Sequence, residues 1–411
     1  MKMQKNPFKY ILVFIMTVGL TFSGFTNVIF SARALDVMQL FNMNQAQLSA
    51  ITSVSNLPAF FFAIWLGNLI DRKGIRKVPI ILFALATIVG VLRIFSPNYT
   101  ILFLLTFLAS SFFLPVNIIA PKLFAPYFSA GEMGAAIGVY SSGAGVGTTL
   151  AFALGPMFPT TQGALAFIAA GYALMLIFWI IFVKEPKKAD DVASAAIVST
   201  DLKAVLKSKT MWKVMLCGGL SVGSAILLNS YAVTAFIGKG MEPAAASVIA
   251  TIMNFCLLIG GLVAGFIVSK VGLYNVPYII ICCGGAVLYY LAYWLPLGTI
   301  TYVMIGIAAF VVAGSIGVNM ARIALIPVTG EFGPENIGAA GGMNQASAGL
   351  IGFVLPTIVA SIFGTNYLGV WTFAAIILIT IGILGGVLTP ELGPNGKLAQ
   401  SKKQASTASV N

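Results

Sequence analysis

The sequence predicts an all-α membrane protein with twelve transmembrane helices in two pseudo-symmetric six-helix bundles. Three observations carry that reading. Of 411 residues, 59% are hydrophobic and only 8% are charged, whereas an ordinary soluble domain is about a quarter charged. The mean hydropathy of +0.99 reflects apolar sequence along the whole chain, not one anchor. The apolar runs also fall into six, a polar break, and six more.

A helix needs roughly 20 mostly apolar residues to cross a bilayer. Runs of that kind lie near 8–31, 45–70, 77–95, 100–122, 134–157 and 163–183. After the break they resume near 211–237, 244–268, 275–295, 300–325, 337–363 and 367–388. The first bundle is therefore expected over 1–183, a cytoplasmic linker over 184–210, and the second bundle over 211–390. The Ser/Gln-rich stretch 391–411 reads as a disordered cytoplasmic tail. Lys2, Lys5 and Lys9 precede a first run long enough to span, and no small-residue cleavage site follows. That run is read as a helix and not as a signal peptide.

The formal net charge is +12, and its distribution orients the chain. With the N-terminus inside, 20 of the 23 Lys and Arg residues fall on cytoplasmic segments, and only Arg33, Arg93 and Lys239 fall outside. Positive charge collects on the cytoplasmic side of membrane proteins, so both termini are expected inside, in a multi-pass protein of the cytoplasmic (inner) membrane. The excess is a topology signal, which removes nucleic acid as a partner. The expected partners are the lipid bilayer and a small-molecule substrate, and the chain is expected to be a monomer.

Catalysis is excluded by what is missing from the composition. There is no His, the commonest base and proton shuttle near neutral pH, and there are no paired carboxylates. Cys217, Cys256, Cys282 and Cys283 lie in apolar runs without metal-ligand spacing. No enzyme activity, metal or cofactor is expected. The chain also lacks a Gly-x-x-x-x-Gly-Lys-Ser/Thr loop, so nucleotide hydrolysis is not its energy source.

The two halves repeat each other. Gly67-Asn68-Leu69-Ile70-Asp71-Arg72-Lys73-Gly74 follows the second span, and Gly265-Phe266-Ile267-Val268-Ser269-Lys270-Val271-Gly272 follows the eighth. Gly134-Ala135-Ala136-Ile137-Gly138 opens the fifth span, and Gly338-Ala339-Ala340-Gly341-Gly342 opens the eleventh. Two pairs in register indicate duplication of a six-span unit.

The stretch Gly67 to Lys77 resembles the signature loop between spans two and three of the major facilitator superfamily, Gly-x-x-x-Asp-Arg-x-Gly-Arg-Arg/Lys. It departs from that pattern at the spacing around Ile75. With twelve spans and a central linker, the resemblance covers essentially the whole chain. It implies that Gly67, Asp71, Arg72, Gly74, Arg76 and Lys77 form a cytoplasmic gate that latches the outward-open state. The plainer reading is a solvated basic turn that sets topology. Ser269 stands where the first copy has Asp71, so the latch is expected to be asymmetric. The fifth span, Gly138 to Gly147 and then Gly155-Pro156, resembles the Gly-rich helix of many exchangers in this superfamily. Small residues at three- and four-residue spacing also serve plain helix packing, and Gly134/Gly138, Gly261/Gly265 and Gly338/Gly342 are expected to do so.

In this superfamily the solute binds at mid-membrane between the halves, and access alternates by rocking. Polar groups inside spans are the informative candidates, because burying them is costly unless they pair or face water. They are Asn56, Asn117, Tyr140, Asn229, Tyr231, Asn254, Asn319, Asn344 and Gln345. Each is read either as a bond between helices or as a solute contact. Lys122 and Arg322 lie toward the inner ends of spans four and ten, each shortly after an Asn (Asn117 and Asn319). They either face the cavity, where Arg322 would hold an anion, or snorkel to the interface. Arg33 and Asp36 are expected at the outer mouth.

Ile326-Pro327, Gly338 to Gln345 and Gly352 to Pro356 resemble the nitrate/nitrite and cyanate-type permeases and the oxalate/formate exchangers. The likeness implies an anion as solute. Spans two and eight lack a mid-span Arg, unlike the nitrate carriers, so a monoanion or a solute with an apolar body and one acidic head fits better. Phe60, Phe61, Phe62, Phe112 and Phe113 suit such a body or face lipid. No Asp or Glu lies in mid-span, which argues against an intramembrane proton relay. The expected function is secondary active or facilitative transport of a small organic anion or amphipathic monocarboxylate-like solute by alternating access. The alternative is export of lipophilic drug-like compounds.

Overall fold

In lipid an apolar segment must satisfy its own backbone polar groups, and a helix does so within one segment. The computed structural model describes residues 8–124, 126–128, 130–184, 202–333, 336–396, 398, 400 and 401, with seventeen α-helices and no strand among them. Eleven helical stretches are long and apolar enough to cross a membrane, and Tyr99–Phe113 is a shorter apolar helix. The expected fold class holds, and the expected count of twelve is close.

Two compact units make up the chain. One comprises Met1–Lys188 and Pro243–Thr251, the other Ala189–Glu242 and Ile252–Asn411. Helices α1 (Phe8–Ala32), α2 (Ala34–Leu40), α3 (Gln45–Ser53), α4 (Leu57–Lys73) and α5 (Lys77–Ile94) come first. They are followed by α6 (Tyr99–Phe113), α7 (Pro115–Ile118), α8 (Ala120–Phe124), α9 (Ala130–Leu154) and α10 (Thr161–Phe182). The later helices are α11 (Leu202–Lys207), α12 (Lys209–Gly238), α13 (Pro243–Val271) and α14 (Asn275–Trp294). The last three are α15 (Thr299–Leu325), α16 (Ile337–Phe363) and α17 (Tyr367–Val387).

Local chemistry sets many of the boundaries. Asn44 and Gln47 form a reciprocal capping box at the start of α3. The side chains of Asn98, Thr160, Ser208 and Asn366 accept the first free backbone N–H groups of α6, α10, α12 and α17. The fourth span, expected to be continuous over 100–122, is instead three pieces, α6, α7 and α8. Pro115 and Pro121 lack the N–H groups that would carry the helix through. The second span bends similarly through a 3₁₀ turn at Val54–Asn56, just ahead of Pro58.

The same pairings recur in the two units. In the first, α1 packs on α9, and α5 packs on both α10 and α6. In the second, α12 packs on α16, and α14 packs on both α17 and α15. In span number these are one with five, three with six and three with four, repeated as seven with eleven, nine with twelve and nine with ten. The duplication read from glycine positions is thus repeated in packing.

Helices α1 and α9 approach backbone to backbone. A Cβ on Gly147 would fall on the Thr21 carbonyl and 2.8 Å from the Phe25 nitrogen, and one on Gly24 would fall on the Ala144 carbonyl. The Gly-rich fifth span therefore does pack closely, but through Gly143 and Gly147. Gly138, Gly265, Gly338 and Gly342, where close packing was also expected, have no neighbour within 4 Å of such a Cβ. Overpacking a helix seam costs about 1–3 kcal/mol. Gly147→Ala is expected to lower the thermal midpoint of the purified protein in detergent by several degrees, while Gly138→Ala leaves it unchanged. Equal midpoints for the two variants would contradict this account of the seam.

Candidate functional site

Within the first unit, polar side chains gather around a small cavity. Ser23, Thr26 and Asn27 of α1, Ser55 of the 3₁₀ turn, Ser110 of α6, Asn117 of α7 and Tyr172 of α10 line it, with Phe113 and Leu114. It offers about 20 Å³ to the centre of a water-sized atom, which is room for one or two such atoms. Asn117 donates from Nδ2 to Ser23 Oγ at 3.4 Å. Tyr172 and Thr26 share a hydrogen bond of 3.1 Å, and Thr26 gives its proton to the Phe22 carbonyl at 2.8 Å. Ser55 Oγ and Ser110 Oγ are buried and have no partner.

Arg93 differs most from expectation. Read as an outer-side charge, it is 0% exposed, with its guanidinium 5.9 Å from the Phe30 ring centre. None of its three nitrogens has a partner in hydrogen-bonding geometry. By contrast, Arg33 is fully engaged. It donates to the carbonyls of Gly155 (2.8 Å) and Phe158 (2.6 Å) and pairs with Asp36, which ties the junction of α1 and α2 to the turn before α10.

The other first-unit candidates make ordinary structural bonds. Tyr140 donates to the Val116 carbonyl at 2.8 Å, and Asn56 donates to the Ser53 carbonyl at 3.2 Å. Phe60 and Phe61 are exposed, whereas Phe113 is buried beside the cavity.

In the second unit, Asn319 and Asn344 form a buried cluster, and Arg322 is buried one helical turn beyond Asn319. Arg322 is 0% exposed, lies 4.2 Å over the Tyr278 ring, and donates from Nη2 to Asn275 Oδ1 at 2.6 Å. Its Nε and Nη1 have no partner, and neither do Asn319 Oδ1 and Asn344 Oδ1. Asn344 Nδ2 reaches Met320 Sδ at 3.3 Å. Gly218 of α12 lets the two amides converge, because a Cβ there would stand 2.6 Å from Asn344 Oδ1 and collide with Asn319 Nδ2. Asn254 donates to Asn229 at 2.9 Å, joining α13 to α12. Tyr231 donates to the Gly364 carbonyl at 3.0 Å. Gln345 is exposed and does not join the cluster.

The two signature loops are built differently. In the first, Gly74 ends α4 with φ 105°. Arg76 donates to the Ile180 carbonyl at 3.1 Å, and Trp179 Nε1 donates to the Ile75 carbonyl at 3.2 Å. Lys122 reaches the Gly67 carbonyl at 3.5 Å. Arg72, Lys73 and Lys77 are exposed, while the Asp71 side chain lies outside the described residues. In the second, the carboxylate comes from beyond α17. Glu391 accepts from the backbone N–H groups of Tyr274 (2.9 Å), Asn275 (2.8 Å) and Gly393 (2.9 Å). Asn395 donates to the Val271 and Gly272 carbonyls at 2.8 and 3.0 Å. The stretch read as disordered from 391 thus begins with a folded strap. Most of the expected linker and the end of the tail lie outside the described residues.

Sequence reasoning missed Ser23, Asn27, Ser55, Ser110, Tyr172, Asn275, Glu331 and Glu391. Single Ser residues in spans carry no signal, since most bond to their own helix. Glu331 and Glu391 offered one clue. They stand beside helix ends in a chain with only 11 acidic residues, and helix N-termini attract carboxylates.

A major facilitator family model matches residues 13–356. The chain belongs to the Major Facilitator Superfamily. It is therefore a multi-pass membrane transporter of small molecules and not an enzyme. Its fold is similar to that of a bacterial homolog of the human lysosomal transporter Spinster in an inward-facing, unoccupied conformation. That match has TM-score 0.69 and 14% identity, over 94% of this chain and 96% of that one. It is also similar to the nucleoside transporter NupG, with TM-score 0.70 and 16% identity over 92% and 98%. The D-xylose-proton symporter matches with TM-score 0.69 and 14% identity over 95% and 99%. In sequence, the MFS antiporter QDR3 of Candida albicans is 25% identical over 181 residues. That match takes in 43% of this chain and 26% of that relative's length.

Glu331 closes the N-terminal end of α12. It accepts from the hydroxyls of Ser208 and Thr210 and from the Thr210 backbone N–H at 3.1 Å. Burial opposes its ionisation, but these hydrogen bonds outweigh burial and hold the carboxyl below its usual 4.5. A carboxyl lowered on folding stabilises above its unfolded value, and that contribution is lost as pH falls through the folded value. Glu331→Gln is therefore expected to lower thermal stability at pH 7, with the difference from the parent shrinking below pH 4.5. A difference that stays constant with pH would contradict the clamp.

Proposed function

We propose that this carrier moves a small organic anion, a monocarboxylate-like solute with an apolar body, by alternating access driven by gradients. One observation carries the reading. No acidic residue lies in mid-span, Asp71 and Glu132 standing in the end turns of α4 and α9, yet Arg93 and Arg322 are fully buried. A charge away from water costs several kcal/mol unless something answers it, and intramembrane charges mark solute pathways by default. Among the described residues the deeply buried charges are positive, which favours a negative solute and disfavours a cation.

Arg322 is the proposed anion contact of the second unit. Two of its nitrogens await partners, and the convergent Asn319 and Asn344 amides, one helical turn along α15, are the proposed neutral contacts. Asn117 and the groups around it offer the first unit's polar wall. The Gly67–Lys77 loop, with its pinned Arg76, is the proposed cytoplasmic gate. The positive-inside distribution supports a monomer in the cytoplasmic membrane with both termini inside and residues 184–210 linking two six-span halves. A likeness to a protein named an antiporter favours exchange of one solute for another.

Uptake of radiolabelled monocarboxylates into proteoliposomes tests the reading. Arg322→Gln is expected to reduce the initial rate about ten-fold or more, the scale of one lost charge-assisted contact, with Arg322→Lys intermediate. Unchanged uptake in Arg322→Gln would remove this residue from the site. Transport of unrelated apolar compounds, with no effect of carboxylates, would favour the drug exporter instead.

A further inference from the structure

The cavity of the first unit carries more than a role in helix packing. Its protons can be counted. Thr26 spends its single hydroxyl proton on the Phe22 carbonyl, so Tyr172 must be the donor in the bond they share. The lone pairs of Tyr172 are then turned to other donors, and the Arg93 guanidinium lies within its electrostatic reach. Asn117 gives one N–H to Ser23 and keeps another. Ser55 and Ser110 each keep an unspent hydroxyl proton. The wall thus presents several free donors around a space sized for one or two water-sized atoms.

We propose that the first unit binds one small monovalent anion, with a single halide-sized atom seated among Ser55, Ser110 and Asn117. The anion is either a free halide or a carboxylate oxygen; the chemistry is the same. The electrostatics select the sign. Arg93 is buried, and the group that its charge feels is the Tyr172 hydroxyl and not a carboxylate. Among the described acidic side chains of this unit, Asp36 is paired with Arg33, and Glu132 with Lys9 at 2.8 Å. Neither lies within a span. An alkali cation in the cavity would add a second unanswered charge, whereas an anion takes the hydroxyl and amide protons in charge-assisted hydrogen bonds and answers Arg93 through Tyr172. The proposal rests on this unit's own groups and stands apart from the role given to Arg322.

Thermal unfolding of the purified full chain in detergent tests it, in sodium chloride, bromide, acetate or 2-(N-morpholino)ethanesulfonate at equal ionic strength. The sulfonate is too bulky for the cavity and sets the baseline. A saturable rise of about 2–5 °C in the small anions is expected, as for a ligand that binds only the folded state. A rise with halides alone identifies a free halide, a rise with acetate alone identifies a carboxylate oxygen, and a rise with both identifies a site that accepts either. The double variant Ser55→Ala/Ser110→Ala is expected to lose the rise while keeping the parent's midpoint in the sulfonate. If that double variant does not fold, Ser110→Ala alone is expected to weaken the apparent affinity about five-fold or more. Identical unfolding in all four salts would overturn the proposal, as would a rise that survives loss of these hydroxyls. Neither result would touch the Arg322 uptake test.

Discussion

The cost of a charge out of water shapes this protein more than any other term. A chain with 8% charged residues has few to place, and nearly all sit at helix ends or in loops. There they stay hydrated. Two guanidinium groups are exceptions, Arg93 and Arg322, each fully buried in a different unit. An arginine remains protonated under almost all conditions, so each unit holds buried positive charge, that of Arg322 within electrostatic reach of Glu391 and that of Arg93 facing the Tyr172 hydroxyl. The apolar helices around them are ordinary lipid-compatible sequence. The buried cations are what distinguish this interior from a passive bundle.

Four of the described carboxylates are spent on anchoring. Glu331 closes α12, Glu391 closes α14, Glu132 pairs with Lys9, and Asp36 pairs with Arg33. Each holds a helix end or a loop at the membrane boundary. The second signature loop shows the consequence most clearly. It has Ser269 where the first copy has Asp71, and Glu391, from a different part of the chain, accepts the backbone N–H groups that open α14. An acidic group at a helix N-terminus gains both hydrogen bonds and the favourable helix dipole. That benefit depends on position in space and not on position in sequence.

The spans, the duplication and the signature loop were legible because they are written in periodic or contiguous residues. Apolar runs of spanning length announced the helices, and repeated glycines announced the two halves. The orientation of a side chain around its helix was not legible. Arg93 at the end of α5 reads in sequence as an outer cation, yet it turns inward between Phe30 and Tyr172. Arg322 was visible as a rare intramembrane cation, but its partner Asn275 lies at the start of another helix and carries no sequence signal. The broken fourth span was readable from Pro115 and Pro121, and hydropathy alone smoothed over it. The cavity's serines were invisible for a different reason. Serines are common in helices, and only packing leaves Ser55 and Ser110 without a backbone acceptor.

The central claim is that buried positive charge selects an anionic solute. It is tested most directly by calorimetric binding of one bound monocarboxylate and its primary amide to the purified carrier. The two ligands share shape and differ in charge. The account predicts that the carboxylate binds at least about ten-fold tighter, the scale of one charge-assisted contact. Equal affinity, or preference for the neutral amide, would contradict it.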